Sequence, residues 1–317
     1  MPRVGLRFGK VLNSYHLYSK TYEAIVRSEN DVSPRKPEWL KQHLPSGPGF
    51  GRVNTLLRKQ GLHTVCEEAN CPNRGECFSN QTATFLILGQ KCSRDCRFCA
   101  VEPGADGSLD SGEPQRVAQA TQELGLDYVV LTSVTRDDLS DAGAGQFAAT
   151  VKRIRELNPS AQVEVLVPDF QGSRKALETV LEARPDVLNH NLETVERLYP
   201  LARPQADYER SLELLRTCRY IAPDLPLKSG MMLGLGESIR EVEQAVRDLV
   251  ASDCSILTLG QYLQPTNRHL PVQRFLHPEE FEALKETAYH AGMEQIASGP
   301  FVRSSYRARE LFASLEH

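Results

Sequence analysis

No run of 18 apolar residues occurs in this 317-residue chain, so no transmembrane helix is expected. Positive charge is not in excess either: 37 lysines and arginines against 41 aspartates and glutamates leave a net charge of −4. A global basic field of the kind that holds nucleic acid is therefore not expected. No apolar h-region follows the first methionine, which argues against secretion. Cysteines in such a chain are then expected as reduced thiols, and the expected compartment is the cytoplasm. Acids are missing from the first 22 positions, which carry Arg3, Arg7, Lys10 and Lys20. A transit peptide, and with it the mitochondrial matrix, is the alternative. The stretch is short and neither Arg- nor Ser-rich, which favours a basic arm. The remaining composition is that of an ordinary soluble protein, and its 40% of hydrophobic residues can build a sizeable core. One large α/β domain or two smaller ones would fit that length.

Cysteine is where the composition becomes uneven. Six of the eight lie between Cys66 and Cys99, in two triplets, Cys66-x4-Cys71-x5-Cys77 and Cys92-x3-Cys96-x2-Cys99. Gathered thiolates mark a metal site, a redox site or a disulfide framework. Two sets of three point to two iron–sulfur clusters, each with one iron not held by cysteine, and such an iron is open to chemistry. Zinc is the competing reading of the second triplet. It needs four ligands, usually as C-x2–4-C pairs, and Cys92 and Cys96 joined to two others would satisfy that spacing. The eight histidines form no H-x3-H pair. Cys218 and Cys254 fall within expected elements and read as small buried hydrophobes.

Residues 31–51, DVSPRKPEWLKQHLPSGPGFG, carry prolines and glycines that argue against a continuous helix or central strand. They read as an extended lead-in anchored at Trp39 and Leu40. The first triplet follows on short, polar, loop-like segments. From residue 82 a pattern repeats. Apolar or β-branched runs fall at 82–89, 127–134, 163–169, 186–194, 226–235 and 256–263. Helix-like stretches separate them at 113–124, 143–157, 173–183, 207–221 and 238–252, with another at 278–291. Pro278 suits a first helical position and Glu279 and Glu280 its first turn. This alternation predicts βα units and a parallel sheet. Six units joined right-handedly make most of a barrel; a doubly wound open sheet is the alternative that periodicity leaves open. In both, ligands collect at the carboxyl ends of the strands. Gly234-x-Gly236-Glu237 lacks the nucleotide fingerprint and reads as a tight turn into the next helix.

A C-x3-C-x2-C triplet just after a first strand resembles the radical S-adenosylmethionine (SAM) superfamily. There the open iron chelates the amino and carboxylate groups of SAM, and one electron breaks a carbon–sulfur bond to give a 5′-deoxyadenosyl radical. The apolar residue before the last cysteine, Phe98 here, commonly sits near the adenine. The first triplet is more specific. GLHTVCEEANCPNRGECF, with CSRDCRFC, TSVTRDDL, HNLET, GLGE, GQYLQPT and RSSYR, resembles the lipoyl synthase family from about Arg35 to about Arg309.

The resemblance implies an α/β fold with a partial (β/α)6 barrel over 82–291. A basic arm and lead-in would occupy 1–51, an auxiliary-cluster segment 52–81 and a C-terminal extension 292–317, the extensions covering the barrel mouth. It implies a sulfurtransferase of protein lipoylation that places sulfur at carbons 6 and 8 of an octanoyl group on a carrier lysine. The implied cofactors are SAM and two [4Fe-4S] clusters. One, on Cys92, Cys96 and Cys99, cleaves two SAM molecules per lipoyl group. The other, on Cys66, Cys71, Cys77 and Ser305, gives up its sulfide. No general base removes hydrogen from such unactivated carbons, whereas a radical does, and cofactors carry that chemistry. The implied partners are octanoylated lipoyl domains of 2-oxo acid dehydrogenase complexes, the glycine cleavage H protein, a flavodoxin- or ferredoxin-type reductant, and iron–sulfur cluster assembly proteins. Nucleic acid and membrane are not among them. Residues 1–41 hold eight basic and four acidic side chains, which predicts salt-sensitive steering of a folded carrier.

Single residues carry competing readings. Ser133 and the acids of Arg136-Asp137-Asp138 follow the second strand, the edge that binds the SAM amino group in the superfamily. Helix capping or loop solvation by Asp137, Asp138 and Asp141 is the alternative. Asn191 and Glu193 end the fourth run, where ribose hydroxyls are often held; a satisfied polar pair is the alternative. Arg203 and Lys228 are candidates for the SAM carboxylate or for orienting substrate, against ordinary ion pairs. The Ser305 oxygen is a harder ligand than thiolate and is expected to leave a sulfur-rich cluster more readily. Ordinary loop hydroxyls at Ser304 and Ser305 are the alternative. A biotin-synthase-like or methylthiotransferase enzyme and a zinc-stabilised interaction module are the rival functions, and the first triplet with RSSY argues against the two enzymes.

Overall fold

The computed structural model describes residues 35–41, 48–69, 71, 73–79, 84–104 and 107–315, so the basic arm lies outside the described residues. Among the described residues ten strands are formed: β1 His63–Thr64, β2 Thr84–Ile87, β3 Lys91–Cys92, β4 Glu102–Pro103, β5 Tyr128–Ser133, β6 Gln162–Leu166, β7 Val187–Asn189, β8 Leu227–Leu233, β9 Ile256–Gln261 and β10 Gln295–Gly299. Eight make one sheet in the order β1-β2-β5-β6-β7-β8-β9-β10. Only the β1–β2 pair is antiparallel; every other pair is parallel. The parallel strands follow chain order without a reversal, so there is no topological switch point, as in a barrel rather than a doubly wound sheet. β1 and β10 remain as separate edges, which leaves the barrel partial.

The six apolar runs became β2, β5, β6, β7, β8 and β9, and the six helix-like stretches became helices. The residues explain the boundaries. β2, β9 and nearly all of β5 and β8 are buried, as strands covered on both faces must be. Helix Glu113–Leu124 carries Pro114 in its first turn and ends on Gly125 in the left-handed region. Ser173 and Asp207 accept backbone N–H bonds at the starts of helices Arg174–Leu181 and Tyr208–Ile221. Ser238 and Glu241 form a capping box on helix Ile239–Val250. The expected tight turn precedes it: Gly234 and Gly236 have φ of 103° and 106°, and the Glu237 carboxylate accepts from the Gly234 and Leu235 amides.

Three features differ from expectation. The sheet gains a seventh parallel strand, β10, whose sequence QIASG lacks an apolar run; pairing along five residues of β9 organises it. Within the lead-in, a helix Pro48–Gln60 begins, with Pro48 in its first turn and Val53, Leu56 and Leu57 buried. Cys66 and Cys77 sit on short helices, Val65–Glu68 and Arg74–Ser79, rather than on loops. Leu40 is buried, and Trp39 is half-exposed, edge-on to His277 with ring centroids 4.8 Å apart. Cys218 and Cys254 are buried, as hydrophobes of their size would be.

A buried polar quartet ties four neighbouring strands together. Lys228 Nζ donates to both Glu164 oxygens at 2.9 and 3.0 Å, and Tyr128 and Asn189 donate to the same carboxylate. These four residues come from neighbouring strands, so their side chains share one face of the sheet. A last helix, Ala308–Ala313, packs Ala308 and Phe312 against Tyr128, Val130 and Val187. Arg309 pairs with Asp127 at 2.7 Å beside it. Among the described residues no helix is long and apolar enough to cross a membrane.

Candidate active site

The second cysteine triplet leaves the carboxyl end of β2 through Leu88 and Gly89, both at positive φ. The β3–β4 ribbon brackets its loop. Four neighbouring elements then pin it. Ser93 N and Oγ both donate to Thr135 O, and Asp137 N donates to Ser93 Oγ. Arg94, 4% exposed, forks onto Asp137 and Asp169 with four bonds of 2.5–3.0 Å. Arg97 N donates to Ala202 O, and Leu270 N donates to Arg97 O. His269 Nε2 lies 2.9 Å from Cys99 O. Cys92, Cys96 and Cys99 are thus held on a loop whose backbone has little freedom.

The first triplet approaches the same mouth from beyond β1. Cys71 N donates to Cys66 O and Cys77 N to Asn73 O. Asn73 Nδ2 donates to Phe301 O at 2.6 Å, and Tyr306 Oη donates to Glu76 at 3.1 Å. The triplet is therefore stapled to residues 301–306. That segment crosses the carboxyl end of β9, where a Cβ on Gly260 would stand 2.1 Å from Val302 O. Only glycine leaves room for the crossing.

These elements enclose a cavity of about 330 Å³. Cys71, Cys92, Cys96, Phe98, Cys99, Ser133, Asn191, Glu193, Arg203, Ser304 and Ser305 all line it. Cys66 and Cys77 are not in the lining, and each feels the charge of Cys71. Among the described residues no three His, Cys, Asp or Glu side chains converge on a single-ion site. Lys228 is not among the lining residues, and its ammonium is paired with Glu164 in the quartet. The acids after the second strand also have partners within the protein. Asp137 is taken by Arg94, Asp138 by Arg136, and Asp141 caps the amides of Gly143 and Gly145.

Asn191 Nδ2 donates to Glu193 Oε1 at 3.0 Å and to Ser304 Oγ at 3.1 Å. Glu193 has φ 68°, outside the usual range for its type, held there by Gly230 O and Met232 N on β8. A Cβ on Gly230 would meet Asn191 Oδ1 at 2.8 Å, so a larger residue there would displace the Asn191 side chain. Arg203 Nη1 donates to Asn191 O, and Arg203 Cζ lies over the Tyr199 ring, 5.1 Å from its centroid. His190, absent from the residues singled out by sequence, also lines the cavity. Its Nδ1 must donate to Val167 O, which leaves Nε2 as an acceptor. Only its place in HNLET could have flagged it. Burial and the Arg203 charge push it down to about 4, so it is neutral.

Four cavity-lining atoms are buried without a partner: Ser133 Oγ, His190 Nε2, Asn191 Oδ1 and Arg203 Nε. Orphaned donors and acceptors on one wall fit a polar ligand. The thiols fit a cationic metal core. Desolvation, then Cys71, pushes Cys66 up to about 12. Desolvation, then Cys66 and Cys71, does the same to Cys77. Desolvation pushes Cys99 up to about 12 and Cys96 to about 11, the latter against the field of Arg203. Thiolates here need positive charge, which coordinated iron supplies. Burial also raises the Glu193 carboxyl, against Arg203 and the Asn191 bond.

A family model for the Radical SAM superfamily matches residues 86–249, and one for the N-terminal domain of lipoyl synthase matches residues 9–71. The lipoyl synthase of Desulfotalea psychrophila is 56% identical over 281 residues, covering 89% of this chain and 94% of that one. That of Hahella chejuensis is 52% identical over 301 residues, covering 95% and 90%. Among solved structures, Streptococcus suis SuiB bound to S-adenosylmethionine is similar with a TM-score of 0.54, at 12% identity over 71% of this chain and 54% of that one. Methylornithine synthase is similar with a TM-score of 0.50, at 15% identity over 80% and 78%. At such identities these two bear on the fold alone.

Proposed function

The chain belongs to the lipoyl synthase family of the radical SAM superfamily, and from that premise we propose how its residues divide the work. It is a sulfurtransferase that uses SAM and two [4Fe-4S] clusters. When bound, these groups supply one-electron, hydrogen-abstracting chemistry and a local store of sulfide for carbons 6 and 8 of an octanoyl chain.

Cys92, Cys96 and Cys99 hold the cluster that meets SAM, on the loop pinned by Ser93 and Arg94. Phe98 offers an apolar surface for the adenine. Ser133, Asn191, Glu193 and Arg203 present the polar wall: Glu193 accepts from a diol, and Arg203 Nε donates to an anionic group. Cys66, Cys71, Cys77 and Ser305 hold the second cluster. The apolar β-strand walls exclude water from the carbon that is to be activated. The single observation that carries this reading is that Cys71, Cys92, Cys96, Cys99 and Ser305 border one cavity. A chain seated there reaches both metal sites without leaving.

Lipoyl carrier domains are the substrates this identity implies. Their members in the 2-oxo acid dehydrogenase complexes and glycine cleavage, a flavodoxin- or ferredoxin-type reductant, cluster assembly proteins and a cytoplasmic location complete the proposal. The test is anaerobic reconstitution. The intact chain should bind about eight irons and eight sulfides. Changing Cys92, Cys96 and Cys99 together to alanine should leave about four of each and abolish 5′-deoxyadenosine formation. SAM cleavage by that triple variant would refute the division of labour.

A further inference from the structure

The region between the first triplet and residues 301–306 holds a cation that the reading above does not use. Arg303 lines the cavity two residues before Ser305. Its Nη1 donates to the adjacent Val302 O at 2.7 Å and stands 3.2 Å from where a Gly260 Cβ would be. No carboxylate forms an ion pair with it among the described residues. The segment that carries it is tied to the first triplet on both sides, Phe301 O accepting from Asn73 Nδ2 and Tyr306 Oη donating to Glu76, and Arg303 shares the cavity lining with Cys71. A half-buried guanidinium with no carboxylate partner is open to an anion across the cavity.

The other side of the contact demands a cation. Glu67 and Glu76 flank Cys66 and Cys77 in the chain and add to the negative charge that three thiolates would gather there. Three thiolates and a serine oxygenate around a [4Fe-4S] core of charge about 2+ would leave a net charge of about −2 in a poorly hydrated place. Arg74 lies on the same face but has other partners. Arg303 is carried there by the segment that also brings Ser305, so the cation and the oxygen arrive as one unit.

We propose that Arg303 is the charge-balancing residue of the first-triplet cluster, its guanidinium offsetting the thiolates of Cys66, Cys71 and Cys77 and the oxygen of Ser305. This rests on the ligand assignment above. The role is electrostatic: Arg303 touches no reacting carbon, and it sets how easily the cluster takes an electron.

The experiment isolates that cluster in the chain lacking Cys92, Cys96 and Cys99, so that its iron content tests the ligand assignment separately. Into this background go Arg303→Lys and Arg303→Gln. The readouts are iron per chain and the midpoint potential followed by the electron paramagnetic resonance signal of the reduced cluster. The lysine variant should keep the iron and a potential near that of the parent. The glutamine variant should shift the potential to more negative values or lose iron. SAM affinity is measured in the otherwise intact enzyme. Equal behaviour of the two variants, whether both normal or both impaired, would overturn the proposal. A loss of SAM affinity in the glutamine variant with an unmoved cluster potential would overturn it too and give Arg303 to the SAM carboxylate.

Discussion

Ser305 lines the cavity with four of the cysteines, while Lys228 lies outside that lining with its charge already paired to Glu164. Their substitutions should therefore separate chemistry from stability. Ser305→Ala is expected to keep SAM cleavage and most of the cluster iron but to lose sulfur insertion. Ser305→Cys should also lose product, because a thiolate holds that iron more firmly than an alkoxide. Full lipoyl product from both would remove Ser305 from the ligand set. Lys228→Met strands Glu164 with only Tyr128 and Asn189, and removing one partner of a buried pair costs about 3–5 kcal/mol. A lower urea midpoint with unchanged SAM affinity is the expected result; weaker SAM binding with intact stability would return Lys228 to the cofactor. The cysteines were legible in the sequence because six of eight gather in two closely spaced triplets, and four of the six line one cavity. The sequence could not show that Glu164, hidden in an apolar run, would claim Lys228, or that Arg94 would claim Asp137. His190 was silent because a lone histidine has no pattern.

Elements were legible wherever burial on both faces imposed a long apolar run, as in β2, β5, β8 and β9. They were not where pairing alone makes the strand. β10 is an edge strand of mixed polarity whose register comes from β9. The run 186–194 was read as one element, but β7 ends at Asn189, and the chain then turns so that Asn191 and Glu193 face the cavity. The crossing of residues 301–306 over β9 depends on Gly260. Gly260→Ala should push Val302 away, since a Cβ at 2.1 Å from a backbone oxygen is not tolerated. The expected outcome is a chain that retains about four irons and still cleaves SAM but makes no lipoyl product. Eight irons and normal turnover would show that the crossing is not needed to assemble the second site.

At the scale of the whole molecule, docking and chemistry are expected to be separable. Residues 1–34 lie outside the described residues, and the basic excess of 1–41 is a property of the sequence. Deleting 1–34 should weaken binding of an octanoylated carrier domain, and the deficit should shrink as salt rises, while SAM cleavage stays near its original rate. An equal loss of both would contradict this. The barrel itself adds a rule of traffic. Its floor is occupied by the Lys228–Glu164 quartet and by Phe312, so the cavity is a cul-de-sac entered from the strands' carboxyl ends. Whatever enters first leaves last. Two sulfur insertions require two rounds of cofactor exchange, so among the described residues the mouth that admits a tethered hydrocarbon is also the way by which spent fragments leave and fresh cofactor arrives.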